Sequence, residues 1–404
     1  MIDELTTSKP PLAGHKIVCV GFNDWDTDVW TNQHHLMARL AAANDVLFVE
    51  SLGLRRPTLA RRDVRRMARR VVRGLRGSRH VDLIDRDTEL EVLSPLVLPA
   101  HSSRLARSIN SVLLPRLVGR AADTLGLTEP ILWAYVPQAE LLLSRLRPSL
   151  VVYHCVDDIS AHPRIDSASF RAAEARFARR ADVVLASSQP LAERMRRLNR
   201  NVYYMANVAD TELFSTAQRS GPIDPALAAL PSPRIVFVGA IAGTKLDIRL
   251  LIELAELRPQ WSVVLVGPVG LGDPLVDLSI LGDVPNLHLL GPRCYAELPE
   301  VLRGAQAAVI PYKLNQLTAS IFPMKVYEYL AAGLPVVATA LPSLAEVDGI
   351  TFAADASEMV AALEQAVSED SVDARAARAR LADGHSWEAR LRELAEVVER
   401  HHPR

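Results

Sequence analysis

Short apolar runs recur along the chain, bounded by Gly, Pro and polar positions, with stretches of three-to-four-residue apolar spacing between them. KIVCV (16–20), VLFVE (46–50), ILWAY (131–135), LVVYH (150–154) and VVLAS (183–187) have the length and β-branched content of strands buried on both faces. Helical spacing fills much of the intervening chain, for example over 31–43 and 168–180. The pattern breaks at TAQRSGPIDPALAALPSPR (216–234), rich in Pro and small residues, and then restarts. RIVFVG (234–239), SVVLVG (262–267), LHLLG (287–291), AAVIP (307–311), PVVAT (335–339) and ITFAA (350–354) follow as a second set of strands. The last segment, SWEARLRELAEVVERHH, has the apolar period of a helix. This alternation predicts an α/β fold of two tandem Rossmann-like, doubly wound domains facing a cleft. The expected boundaries are 1–215 for the first domain, 216–233 for a linker, 234–385 for the second domain, and 386–404 for a helix packing back on the first.

A length of 404 residues suits two or three domains, each with its own core. The 46 basic and 47 acidic residues leave no global attraction for nucleic acid. Cys19, Cys155 and Cys294 lie far apart without metal-ligand spacing, as expected in a reducing cytoplasm. The N-terminus, MIDELTTSKPPLAGHK, lacks the apolar stretch of a signal peptide. No apolar run reaches the ~18 residues of a membrane span. A cytoplasmic protein is expected.

The richest chemistry lies in SIFPMKVYEYLAAGLPVVAT (320–339). Pro323 fits the first turn of a helix, where its missing N–H is no loss, and Gly333 and Pro335 end that helix. Lys325 and Glu328, three apart, share a face. A helix start with a lysine beside it favours a phosphate. A glutamate one turn deeper can accept two hydrogen bonds from a vicinal diol such as a ribose. The same spacing also describes a plain amphipathic helix with an exposed ion pair.

Residues 234–355 resemble the donor-binding domain of GT-B glycosyltransferases, in particular the retaining group called family four. In that group two glutamates, a small-residue helix and Gly-x-Pro-Val occur in that order. Glu328, Gly333, Pro335 and Val336 match, while Ser320 stands at the first glutamate. The group's Gly-Arg-Leu-x-x-x-Lys turn is here Gly239-Ala240-Ile241-Ala242-Gly243-Thr244-Lys245, keeping the glycine and the lysine. YHCVDD and FPMKVYEYLAAGLPVV are similar to the teichuronic-acid-type and exopolysaccharide subgroup. The resemblance implies a hexosyltransferase with a nucleotide-diphosphate sugar as co-substrate, no cofactor and no metal. Its acceptor would be a glycan, a lipid-linked or a small-molecule hydroxyl in bacterial cell-envelope, exopolysaccharide or glycolipid synthesis. A sugar-nucleotide epimerase on the same fold and a non-catalytic glycan- or membrane-binding protein are the alternatives.

On that reading Lys325 and the backbone around Ser320, Pro323 and Met324 stabilise the leaving diphosphate. Lys245 adds a second cation, Glu328 holds the ribose, and Gly239 and the turn Gly291-Pro292-Arg293 lie against the nucleotide. Acceptor contacts are expected from GFNDWDTDVWTNQHHL (21–36): Trp25 and Trp30 as stacking faces, Asp24, Asp26 and His34 as hydrogen-bonding groups. The competing reading puts the tryptophans in the core and the acids at the helix start, with Thr31 or Asp28 as N-cap. Asp24-x-Asp26 and Asp26-x-Asp28 have the spacing of a metal-binding pair, but the tandem α/β pattern argues against one, and no metal is assigned. YHCVDDIS (153–160) places Asp157 after a strand as the group to take the acceptor proton, with His154 the weaker candidate. Capping and a buried histidine are the alternative there. Ser320, and the lack of a histidine in ILWAYVPQ (131–138), leave retention or inversion open.

Between Arg55 and Arg79 eleven arginines accompany one acid, Asp63. Arg61, Arg65, Arg69 and Arg73 repeat every four residues, and Val64, Met67, Val71 and Leu75 form an apolar stripe in the same register. A basic amphipathic helix of this kind fits an anionic membrane surface on the inner face of the cell membrane, or a solvated helix on the domain. The segment lacks aromatic residues for base stacking, which argues against RNA.

Overall fold

The computed structural model describes residues 11–27, 29–52, 77–83, 88–98, 103–270 and 284–402. The chain divides into two compact units: Met1–Met205 with Leu391–Arg404, and Ala206–Arg390.

In the first unit, β1 (Lys16–Val20), β2 (Asp45–Val49), β3 (Ser78–Leu83), β4 (Thr88–Leu93), β5 (Ile131–Ala134), β6 (Leu150–Cys155), β7 (Val183–Ala186) and β8 (Val202–Tyr204) form one sheet. Its order is β3-β4-β2-β1-β5-β6-β7-β8, parallel throughout except for β3 against β4. β6 is buried at every position, as a strand covered on both faces must be. The ribbon of β3 and β4 was not expected. β3 reads SRHVDL and is largely solvated, so it carries no continuous apolar run to betray it. Helices α1 (Asn32–Ala41), α2 (Arg104–Thr124), α3 (Ser167–Arg180) and α4 (Gln189–Arg196) belong to the same unit as this sheet.

The second unit holds β9 (Arg234–Val238), β10 (Ser262–Val266), β11 (Leu287–Gly291), β12 (Ala307–Ile310), β13 (Val336–Ala338) and β14 (Ile350–Phe352). All six were expected, and they form a parallel sheet in the order β11-β10-β9-β12-β13-β14. The order reverses at β9, which pairs with both β10 and β12, so the switch point lies at the carboxyl ends of β9 and β12. The helix that follows β12 is α5 (Lys325–Ala331), and the chain closes with α6 (Trp387–His401).

The segment 216–233, expected as a linker, is instead part of the second unit. Arg303 donates to the carbonyls of Thr216 (2.8 Å) and Arg219 (2.9 Å), and Gln218 donates to Ala331 O at 2.9 Å. Composition shows the Pro-rich irregularity but not these side-chain ties. Residues 391–404 group with the first unit, where His401 meets Tyr203 OH at 2.8 Å and His402 meets Ser149 Oγ at 3.0 Å.

Candidate functional site

Three adjacent strands of the second sheet end on glycine, and all three glycines have positive φ: Gly239 at 146°, Gly267 at 147° and Gly291 at 74°. Gly239 N–H donates to Val266 O at 2.8 Å and Gly267 N–H to Gly291 O at 2.9 Å, linking the strand ends. A Cβ on Gly267 would stand 2.0 Å from the carbonyl oxygen of Gly239. Only glycine allows this approach, and it leaves the carboxyl edge as bare backbone.

α5 brings its side chains to that edge. The loop before it is braced from within the unit: Asn207 Nδ2 donates to Phe322 O at 2.7 Å, and Ser343 Oγ donates to Ile321 O. Pro323 is buried and its carbonyl accepts Val326 N–H at 3.2 Å, so the helical turn starts where the proline was expected to start it. Ser320 and Met324 are half-buried beside it. One turn into the helix, the buried Tyr329 hydroxyl accepts Val238 N–H at 2.7 Å, fixing α5 to the end of β9.

Lys325, four residues before Tyr329, therefore lies over Gly239. A Cβ there would meet Lys325 Cε at 3.2 Å and Nζ at 3.3 Å. The ammonium donates to Tyr312 OH at 3.0 Å and sits 5.2 Å from the Phe237 ring and 5.3 Å from the Tyr312 ring. These partners orient a cation without neutralising it. Glu328, on the next turn, is buried and accepts Tyr295 OH at 3.3 Å. Burial pushes its carboxyl up to about 7, against the pull of Lys325 and the Tyr295 hydrogen bond. Asp210, nearby, adds to the rise. No ion pair within 4.0 Å joins Glu328 or Lys325 to a charged group among the described residues.

The loop carrying Lys245 is tied to the segment after β12: Lys313 N–H donates to Lys245 O at 2.8 Å and Lys313 Nζ to Gly243 O at 2.6 Å. Lys245 itself is half-buried. Arg293 is spent on holding its own turn. Its guanidinium pairs with Asp224 at 2.6 Å and donates to Leu290 O and Pro292 O at 2.7 and 3.1 Å. That bond holds the Asp224 carboxyl below its usual range.

The first unit departs from the acceptor-site expectation. Trp25 and His34 are buried, packed with Phe48 and Trp30 in an aromatic cluster with ring centroids 4.9–6.0 Å apart. His34 Nδ1 accepts Thr31 N–H at 3.1 Å and Nε2 lies 3.1 Å from Asp24 O. Burial lowers its ring to about 4, so it is neutral and structural. Thr31 is the N-cap of α1. The stacking and hydrogen-bonding roles expected of Trp25 and His34 are thus corrected to core packing. Trp30 is half-buried on the same cluster, and Asp26 pairs with Arg79 at 3.1 Å. Among the described residues no group of three or more His, Cys, Asp or Glu is placed to hold a metal ion; Asp28 lies outside them.

Asp157 is half-buried just past β6. Its neighbour Asp158 is buried and pairs with Arg194 at 3.2 Å. His154 is buried in β6 against Tyr135, ring centroids 4.9 Å apart, a core position for the weaker base candidate. Arg61, Arg65, Arg69 and Arg73 lie outside the described residues. No helix among those described is long and apolar enough to cross a membrane.

Sequence reasoning missed Gly267, Tyr295, Tyr312 and Tyr329. Gly267 had a signal, since SVVLVG ends as RIVFVG does. The tyrosines had none, because their roles depend on which loop meets which strand end.

Residues 232–369 match the family Glycosyl transferases group 1. The chain is 32% identical over 225 residues to the "Putative teichuronic acid biosynthesis glycosyltransferase TuaH" of Bacillus subtilis (strain 168), covering 52% of this chain and 56% of that one. It thus spans about half the length of the curated relative it matches. Anabaena Alr3699/HepE, solved with UDP and glucose, superposes with a TM-score of 0.65 at 15% identity over 96% of this chain and all of that one (100%). Sucrose-phosphate synthase (tll1590) from Thermosynechococcus elongatus superposes with a TM-score of 0.67 at 14% identity, covering 96% and 99%. The two-sheet α/β architecture expected from the sequence is the fold of these GT-B proteins, and the second unit is similar in sequence to group 1 glycosyl transferases.

Proposed function

We propose that the protein is a nucleotide-sugar-dependent glycosyltransferase of cell-envelope polysaccharide synthesis. The observation that carries this is Lys325: an ammonium held over bare backbone at the switch point by tyrosine and phenylalanine, with no carboxylate within ion-pair distance among the described residues. An anionic diphosphate is the ligand such a cation lacks. In the transfer the glycosyl C–O bond to the diphosphate breaks, the electron pair leaves with the diphosphate, and the anomeric carbon bonds to the acceptor oxygen. Lys325 stabilises the departing charge, Lys245 adds to the local positive potential, and Glu328 accepts the ribose hydroxyls. Gly239, Gly267 and Gly291 let the nucleotide approach the backbone. Arg293 keeps the turn after β11 in place through Asp224. Asp157 takes the acceptor proton. The similarity to TuaH supports the envelope-polymer setting, and the UDP complexes of HepE make UDP the first nucleotide to try.

Calorimetry of the full chain with UDP, GDP and dTDP tests the reading. At least one is expected to bind, at least tenfold more weakly to Lys325→Ala. Absence of binding by all three rejects it.

A further inference from the structure

The described part of the first unit has four large apolar side chains that are well exposed, and all four lie within fifteen residues of sequence: Leu98 (42%), Leu105 (71%), Ile109 (41%) and Val112 (48%). Scattered singly they would mean nothing; gathered on one element they need a cause. The helix α2 explains the gathering. Its inner face is ordinary, with Leu114, Val118 and Ala122 buried in the core. Its outer face is inverted. Leu105, Ile109 and Val112, spaced four and three apart, occupy the line where a surface helix places charge, and Arg116 and Arg120 continue that line. Leu98 is tied to the flank of the same helix through buried Asn110, whose amide accepts Leu98 N–H and donates to Leu98 O, both at 2.9 Å. Ser108, Ile109, Val112, Leu113 and Arg116 line an open hollow of about 380 Å³ on this face.

Charge decides what covers it. Arg116 and Arg120 are exposed on the line of Leu105, Ile109 and Val112, and α2 carries no acid before Asp123, which is bound to Arg145. A second copy laid on this face would set the arginines of one α2 against those of the other, with no carboxylate on the described line of either helix. An anionic lipid surface instead takes the leucine, isoleucine and valine into its acyl boundary and the guanidinium groups at its phosphates. We propose that the outer face of α2, the line of Leu105, Ile109, Val112, Arg116 and Arg120, docks the protein on an anionic membrane. The docking is independent of the reading at Lys325.

The test is flotation of the full chain with vesicles of phosphatidylcholine alone and with about a third phosphatidylglycerol, comparing wild type with Ile109→Glu/Val112→Glu and Arg116→Ala/Arg120→Ala. All four positions are exposed, and thermal unfolding checks that the variants fold. Wild type is expected to float with the anionic vesicles and not the neutral ones. Removing the two arginines should weaken binding at least tenfold, since each contributes roughly fivefold near such a surface. The two glutamates should abolish it, and about 1 M salt should weaken it. No binding to anionic vesicles, or unchanged binding by the glutamate variant, overturns the proposal. So does a dimer in light scattering that the glutamate variant converts to monomer, because the face then belongs to a second copy.

Discussion

Five acids are buried among the described residues, and the two units treat them differently. In the first unit every one has an arginine: Glu50 with Arg79 at 3.0 Å, Asp158 with Arg194 at 3.2 Å, Glu174 with Arg194 at 3.3 Å. In the second, Asp224 follows the same rule with Arg293, and Glu328 breaks it. Within the second unit the direction of titration follows the pairing: Arg293 lowers Asp224, whereas burial raises Glu328 to about 7. In the first unit burial raises Glu174 as well, against the pull of Arg194. A buried acid with its counter-ion is satisfied within the fold; a buried acid left with a tyrosine hydroxyl is the kind of group on which the proposed ribose contact rests. The same contrast separates Lys325, held by aromatic groups, from the arginines of the first unit.

The comparison breaks first at Arg194. Burial opposes its charge, but Glu174, Cys155 and Asp158 outweigh that and keep the guanidinium protonated. Arg194→Ala strands the buried Glu174 and leaves Asp158 with only Arg171, 3.8 Å away, as a cation, and urea unfolding should show a loss of about 3 kcal/mol. A loss under about 1 kcal/mol would mean that this network is not what holds β6 to α3 and α4. Next comes Gly267→Ala. Its Cβ collides with the Gly239 carbonyl at positive φ, so a loss of about 2 kcal/mol is expected, with nucleotide affinity falling too. Unchanged melting and affinity would remove the close-approach argument.

Glu328→Gln sharpens the comparison most finely. Because the folded state raises this carboxyl, it binds the proton more tightly than the unfolded chain does. The stability it lends is complete below the ordinary carboxylate range and is lost as pH rises towards about 7. Glutamine should flatten that slope. Nucleotide affinity runs the other way, since the ionised carboxylate is the better acceptor for a diol. Wild-type affinity should climb through pH about 7, while the variant stays flat and about tenfold weaker. A wild-type profile as flat as the variant's would show that Glu328 does not titrate at the site.

The second sheet was legible because its strands are short apolar runs, those of β9, β10, β12 and β13 buried on both faces, and burial writes itself into composition. The motif around Lys325 and Glu328 was legible for the related reason that helix phase is local: three residues apart means one face. The pairing of β3 with β4 was not, since half-solvated strands look like polar loops, nor was the attachment of 216–233 to the second unit. Trp25 and His34 show the limit most plainly. Their residue types suit a sugar site and a core equally, and only packing against Phe48 and Thr31 separates the two. Sequence alone determined the buried apolar strands and the phase of α5, because those follow from neighbours along the chain. Tertiary structure alone decided which charges acquire counter-ions, because Arg194 and Glu174, or Lys325 and Gly239, become neighbours only when distant strands pair.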